Sequence, residues 1–233
     1  MKIADIQKFT ILDFPDHLAC TIFTLGCNFR CGFCHNPELV LPDLYKKQQK
    51  QISQKDFFSF LQSRKKVLEG VVITGGEPTI QKDLPEFMEK IKKEGFKVKL
   101  DTNGYCPEVL EKIIKMKVVD FIAMDIKSSL EKYEEITQVS ISKEKILSSV
   151  NIIKKSSIDY EFRTTTFADL HTAKEIEKIG KIIKGAKSFA LQNFRNAKLV
   201  DPEFKNKKGL SRKELNEAKE IMQKYVSQVE VRK

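Results

Sequence analysis

Six short runs of apolar, largely β-branched residues recur along this chain, each followed by a segment of helical period. That alternation restricts the fold more than any other feature. The runs are Leu18–Leu25, Gly70–Thr74, Phe96–Leu100, Val118–Met124, Tyr160–Thr165 and Ser188–Leu191. Their nearly continuous apolar character suits parallel strands buried on both faces. Between them, Leu84, Phe87, Met88 and Ile91 form one helical stripe, and Ile146, Leu147, Val150 and Ile153 another. Thr172–Glu175 and Ser211–Glu214 read as capping boxes, with a hydroxyl at N-cap and a Glu at N3. Pro107 suits a first helical turn, and Gly95 a helix C-terminus. The polar stretches Leu39–Gln51 and Asn206–Gly209 read as loops.

Such a chain is expected to be α/β, a partial (β/α)6 TIM-like barrel too short for the eightfold form. Right-handed connections would put helices outside and the strand C-termini on one face, where functional residues should gather. Residues 1–233 read as a single domain, with a core over about 16–195 and a C-terminal helical segment over about 210–228. A hydrophobic content of 41% with 16 Phe excludes a disordered chain. No apolar run approaches the roughly 18 residues that cross a bilayer. Met1–Thr10 lacks the apolar stretch of a signal peptide, so a cytoplasmic protein is expected. The net charge of +10 comes from 42 basic residues, of which 36 are Lys. These are spread over candidate helix faces such as Glu89-Lys90-Ile91-Lys92-Lys93, whereas nucleic-acid readers concentrate Arg and Lys among exposed aromatics. Neither a nucleic acid nor a membrane is therefore an expected partner. Solvated helix faces, or a docking surface for an acidic protein, account for the charge.

The chain has five Cys, three of them within eight residues, in Gly26-Cys27-Asn28-Phe29-Arg30-Cys31-Gly32-Phe33-Cys34-His35-Asn36. The loop follows the first apolar run and carries the spacing C-x3-C-x2-C. Thiolates so close together can bind three irons of one 4Fe–4S cluster, leaving the fourth iron to a small molecule. Zinc normally takes two ligand pairs with a longer gap, and His35 beside Cys34 is strained as a fourth ligand. Cys20 and Cys106 lie apart from the loop and read as structural cysteines. The other runs also end in polar motifs. Thr74-Gly75-Gly76-Glu77-Pro78 allows close backbone approach to a ligand, although a plain turn would also account for it. Asp101-Thr102-Asn103-Gly104 and Met124-Asp125-Ile126-Lys127 put charges at a barrel mouth, where they must be paired or bound to something. Arg163, within the fifth run, needs a carboxylate on a neighbouring strand or a bound anion.

With Phe33 before its last Cys, the cluster loop resembles the signature of radical S-adenosylmethionine enzymes. The flanking Cys34-His35-Asn36-Pro37-Glu38 is similar to the activating enzymes of glycyl-radical proteins, above all those of anaerobic (class III) ribonucleoside-triphosphate reductase. The resemblance runs from Phe14-Pro15 to the sixth run. It implies a 4Fe–4S cluster on Cys27, Cys31 and Cys34. It also implies S-adenosylmethionine as cosubstrate, bound around Phe33, His35, Gly76, Glu77, Asp125, Lys127 and Arg163. In that scheme the Gly76 backbone holds the methionine amino group, and Glu77 shapes the turn or accepts a hydrogen bond. Asp125 and Lys127 meet the methionine and ribose portions, and Arg163 the carboxylate. Asp101, Asp125 and the main chain of Thr102 and Ala123 would form a monovalent cation site.

Relatives place a His near Gln192-Asn193-Phe194-Arg195, where this chain has none; His171, beside Thr172, reads as a surface cap residue. The implied reaction is reductive cleavage of S-adenosylmethionine and removal of a hydrogen atom from a backbone glycine of a partner enzyme. A reducing flavodoxin or ferredoxin would be the electron donor. Neighbouring readings are an activator of the pyruvate formate-lyase type and a small-molecule enzyme such as 7-carboxy-7-deazaguanine synthase. The latter should add polar residues closing the barrel, and no such set is evident. A non-catalytic iron–sulfur or zinc module would leave the motifs at successive strand ends unexplained.

Overall fold

Alternating strands and helices curl into one open sheet in the computed structural model, which describes residues 1–45, 51–196 and 198–232. The strands lie side by side in chain order: β1 (Ile3–Thr10), β2 (Ala19–Thr24), β3 (Gly70–Gly75), β4 (Lys97–Thr102), β5 (Phe121–Asp125), β6 (Asp159–Thr166), β7 (Ser188–Asn193) and β8 (Gln228–Arg232). β1 is antiparallel to β2, and every other neighbouring pair is parallel. Among the described residues β8 does not pair with β1, so the barrel stays open between them.

The helices are α1 (Pro37–Val40), α2 (Pro42–Tyr45), α3 (Gln54–Ser63), α4 (Leu84–Lys93), α5 (Pro107–Lys115), α6 (Tyr133–Thr137), α7 (Lys143–Lys155), α8 (Ala173–Ile182) and α9 (Arg212–Met222). Leu84, Phe87, Met88 and Ile91 are all buried along α4, as their spacing requires. On α7 the buried stripe is Ile146, Ser149, Val150 and Ile153, with Leu147 only partly buried. Ser149 holds its place because its hydroxyl donates to the Gly104 carbonyl at 2.6 Å.

The six expected strands form, with two more at the edges. β1 escapes the pattern because half of its side chains are exposed, and β8 because it is short, polar and alternating. The segment expected to be helical to 228 is helix only to Met222; the Ser211–Glu214 capping box opens it as anticipated. The Thr172–Glu175 box does not close. Thr172 makes no cap bond, and Glu175 turns inward to accept from the Ser129 hydroxyl at 2.5 Å and to pair with Lys178. The expected loop 39–51 contains the short helices α1 and α2; its residues 46–50 lie outside the described residues. The loop expected at 206–209 follows a 3-10 turn, Pro202–Asn206. No helix among the described residues is long and apolar enough to cross a membrane.

Register explains how apolar strands carry a polar interior. Asp101 faces Ala123, Ala123 faces Glu161, and Asp125 faces Arg163. With a side-chain period of two, Lys99, Asp101, Asp125, Glu161 and Arg163 share one face of β4–β6. The opposite face presents Val98, Leu100, Ile122, Met124 and Phe162, all buried in the core. Glu161 is matched on the inner side by a bidentate pair with Arg232 of β8, at 3.0 and 2.7 Å.

Past β7 the chain returns across the cysteine loop as a strap, residues 194–196 and 198–210. The Val200 N–H donates to the Cys34 carbonyl and the Asp201 N–H to the Gly32 carbonyl, both at 3.0 Å. Phe204 then packs near Phe33 and Phe167.

Candidate active site

The C-terminal ends of β2 to β6 open into one cavity, and the three loop cysteines line it. The cysteine loop leaves β2 through Gly26, at φ +88°, a left-handed conformation that favours glycine. Arg30 stiffens it: its guanidinium donates to the carbonyls of Cys27 (2.6 Å) and Phe29 (2.8 Å). Cys34 N–H closes a turn onto the Cys31 carbonyl at 3.0 Å. The Phe29 N–H points at the Cys27 sulfur at 3.4 Å, the kind of bond that tunes an iron–sulfur centre. Burial pushes the free Cys27 thiol up to about 12 and Cys31 to about 11, so iron must displace their protons.

Among the described residues no three Cys, His, Asp or Glu side chains converge as a single-ion site. A cube presents a separate iron to each thiolate, so three thiols, one buried and two partly buried, around one aromatic-walled cavity suit a cluster and not a mononuclear zinc. Cys20 lies fully buried in β2 and Cys106 at the start of α5. Neither lines the cavity.

Gly76 sits where two strand-end loops touch. Its N–H donates to the Thr24 carbonyl and the Glu77 N–H to the Gly26 carbonyl, each at 2.8 Å. A Cβ on Gly76 would land on the Gly26 carbonyl oxygen. Gly76→Ala is therefore expected to lower unfolding stability by about 1–3 kcal/mol, as overpacking does, and to displace the cysteine loop. Urea unfolding measures the first effect; an unshifted midpoint would refute the close approach.

Glu77 is buried and works inside the protein. Its Oε1 accepts from the Thr79 N–H (3.0 Å) and from the hydroxyls of Thr79 (2.5 Å) and Thr102 (2.7 Å). Its Oε2 accepts from the Asn103 N–H at 2.7 Å. Burial raises its carboxyl above the usual range while these donors oppose the rise. Glu77 thus accepts hydrogen bonds from within the protein, and those bonds shape the turn. Asn103 continues the connection, its amide donating to Asn28 in the cysteine loop at 2.8 Å. Sequence reasoning did not single out Asn28, Arg30 or Asn103.

At the ends of β4 to β6 lies an ion network. Asp125 Oδ2 meets Lys127 Nζ and Asp125 Oδ1 meets Arg163 Nε, both at 2.9 Å. Asp101 Oδ2 meets Arg163 Nη1 at 3.2 Å, and Asp101 Oδ1 meets Lys99 Nζ at 2.5 Å. Burial would raise both carboxyls, but the Arg163 guanidinium and the adjacent ammonium groups prevail. They hold Asp101 below its usual range and Asp125 at about 2. Three cations face two carboxylates, so the network carries one positive charge in excess. Lys99 was the member missed in the sequence; an ionisable residue between Val98 and Leu100 was its only signal.

Phe33 is buried on the cavity wall, with the Lys127 ammonium 5.6 Å from its ring centroid. His35 Nε2 lies 2.9 Å from the Arg195 carbonyl and its ring packs on Phe194, tying the loop to the strap. Thr102 ends β4 with its hydroxyl spent on Glu77, and Ala123 lies in the middle of β5. His171 departs from expectation: it is buried, not a surface cap. Its Nδ1 accepts from the Phe167 N–H at 3.0 Å, and Nε2 faces the Lys127 carbonyl at 3.4 Å. Burial pushes its pKa down to about 4, so the ring is neutral and buttresses the Lys127 backbone.

Residues 21–184 match the model of the radical SAM superfamily, and the chain belongs to that superfamily of enzymes. Its members use a 4Fe–4S cluster and S-adenosylmethionine, and these are the cofactors of this chain. A Methanocaldococcus jannaschii protein provisionally named a glycyl-radical enzyme activating enzyme is 34% identical over 235 residues, covering 99% of this chain and 95% of the relative. The chain is thus a member of the activating-enzyme family. A pyruvate formate-lyase-activating enzyme of Listeria monocytogenes is 36% identical over 152 residues, 60% of this chain and 58% of that one. Streptococcus suis SuiB bound to S-adenosylmethionine shares the fold at a TM-score of 0.62 and 16% identity, over 91% of this chain and 51% of SuiB.

Proposed function

We propose that this protein installs a radical on a backbone glycine of anaerobic ribonucleoside-triphosphate reductase. The observation that carries this reading is the meeting, in one cavity, of three cysteine thiols, Cys31 buried and Cys27 and Cys34 partly so, and an ion network with an excess positive charge. Cys27, Cys31 and Cys34 would hold the cluster. A bound cluster would supply the one electron that cleaves S-adenosylmethionine to methionine, and the adenosyl fragment would leave as 5′-deoxyadenosine with a hydrogen atom from the partner's glycine.

The chain's own residues bind, orient and exclude water. Gly76 has spent its N–H on Thr24, so a methionine ammonium would be met by its carbonyl. Arg163 has committed Nε and Nη1 to the aspartates, which leaves Nη2 for the methionine carboxylate. Lys127 and Phe33 form one wall, and the strap shields the cysteine side. The resemblance distributed from Phe14-Pro15 to the sixth apolar run favours the reductase as partner. The open edge between β8 and β1 suits a protein substrate better than a small metabolite. This reading takes the cytoplasm as the site of action, reduced flavodoxin or ferredoxin as donor, and residues 1–233 as one functional unit.

Mixing the reduced, cluster-loaded protein with S-adenosylmethionine and the reductase should produce a glycyl-radical doublet by EPR, followed by nucleotide reduction. A doublet on a pyruvate formate-lyase instead, which the Listeria relative makes the second reading, would reassign the partner. Cosubstrate cleavage with turnover of a small metabolite and no protein radical would overturn the proposal.

A further inference from the structure

The cation site that the family leads one to expect does not fit the residues this chain provides. Each of the four carboxylate oxygens of Asp101 and Asp125 already has a cationic partner: Lys99, Arg163 twice, and Lys127. A metal ion on these carboxylates would have to displace one of them. Lys99 is the decisive member. Its side chain is 3% exposed, it is held between Val98 and Leu100 in a parallel strand, and it runs along the barrel interior to Asp101. An ammonium so buried is tolerated only with a partner. Asp101 is its ion-pair partner among the described residues, and beyond that the Phe121 ring lies 5.8 Å away. A metal ion captured by Asp101 would therefore either strip Lys99 of its counter-charge or sit against a like charge in a site sheltered from water. The net charge argues the same way. The network has one positive charge in excess without any metal, which one incoming carboxylate would neutralise and a further cation would worsen.

We infer that the Lys99 ammonium supplies from within the chain the positive charge that a monovalent metal ion would otherwise bring to this site, so that cosubstrate binding is independent of Na+ and K+. Lys99 is a positioning residue here: it acts by fixing Asp101, which with Asp125 orients Arg163. The inference rests on the reading that S-adenosylmethionine binds at this network.

The test is calorimetric titration of S-adenosylmethionine into the anaerobically reconstituted protein, with ionic strength held constant by a tetramethylammonium salt. Substituting Na+ or K+ should leave the affinity unchanged within about twofold, whereas saturable tightening of about tenfold or more by either ion would overturn the inference. Lys99→Met, which removes the charge and keeps the length, should weaken binding and make it respond to K+; Lys99→Arg should stay indifferent to the ion. A folded Lys99→Met protein whose affinity ignores K+ would also overturn the inference. Should that variant fail to fold, the wild-type titration decides alone. Thermal unfolding of the cluster-free wild type provides a ligand-free check: Na+ and K+ should stabilise it no more than tetramethylammonium, and a specific shift would overturn the inference. Absence of cosubstrate binding in every salt would instead sink the assignment of the network to S-adenosylmethionine.

Discussion

Cys31→Ala is expected to yield a protein that holds no stable iron–sulfur cluster after anaerobic reconstitution and forms no 5′-deoxyadenosine. A cube with one iron already left to the cosubstrate has three protein anchors, and losing one leaves two irons without thiolate ligands. Cys31 sits between the other two cysteines in a loop braced by Arg30 and by the Cys34 N–H, so no neighbouring sulfur can slide into its place. Cys20→Ala and Cys106→Ala are the controls. Cys20 is walled into β2, where burial pushes its thiol up to about 12, and Cys106 starts α5 outside the cavity. Both variants should retain about four irons per chain. Iron and sulfide analysis with the visible absorption band reads the result. Loss of iron in either control comparable to that in Cys31→Ala would refute the three-thiolate assignment.

Arg163→Met should be the most destabilising single change in the ion network. It removes one partner from each of two buried carboxylates at once. Breaking a buried pair by deleting one member costs about 3–5 kcal/mol, because the remaining charge is left uncompensated. The pH dependence carries its own sign. With Arg163 present Asp125 titrates at about 2, below its ordinary 3.8. The stability it contributes is complete above about pH 4 and is lost as pH falls toward 2. Without the guanidinium, burial raises these carboxyls, and protonation then relieves the variant. The stability gap between wild type and Arg163→Met should therefore be widest near neutrality and narrow from the variant's raised carboxyl range, above 3.8, down to about pH 2. Denaturant unfolding at a series of pH values measures it. A gap that stays constant or widens in acid would place the role of Arg163 in packing and not in charge.

What could be read in advance, and what could not, follows from how burial is distributed. The six apolar runs were legible because their helix-facing sides are continuous, from Ile22 and Ile73 to Ile122 and Phe162. The edges were not: β1 exposes Asp5, Gln7, Lys8 and Phe9, and nothing in such a stretch distinguishes an edge strand from a loop. The Thr172–Glu175 box failed because a local pattern cannot foresee competitors. Ser129 comes from the fold and claims Glu175, while Lys178, three residues on along α8, pairs with it locally. The strand-end motifs could be found because each follows an apolar run, and the fold brings them to one cavity. Lys99 and His171 were missed for the opposite reason. Their meaning depends on cross-strand register and on the packing of one loop behind another, neither of which has a local signature.

The strap has a bearing on how the protein is made. Val200 and Asp201 in the strap hydrogen-bond to the carbonyls of Cys34 and Gly32, yet most of the chain separates them from that loop. A ribosome working at roughly 5–20 residues per second releases the thiols on the order of ten seconds before their cover. Throughout that interval the cysteines stand open to the cell, both to scaffold proteins that deliver iron and to oxidants that would pair the thiols. Maturation of the metal centre is thereby coupled to the clock of translation. A codon change that slows synthesis between β2 and the strap should lengthen the window for insertion and for damage alike, without altering a single amino acid of the product.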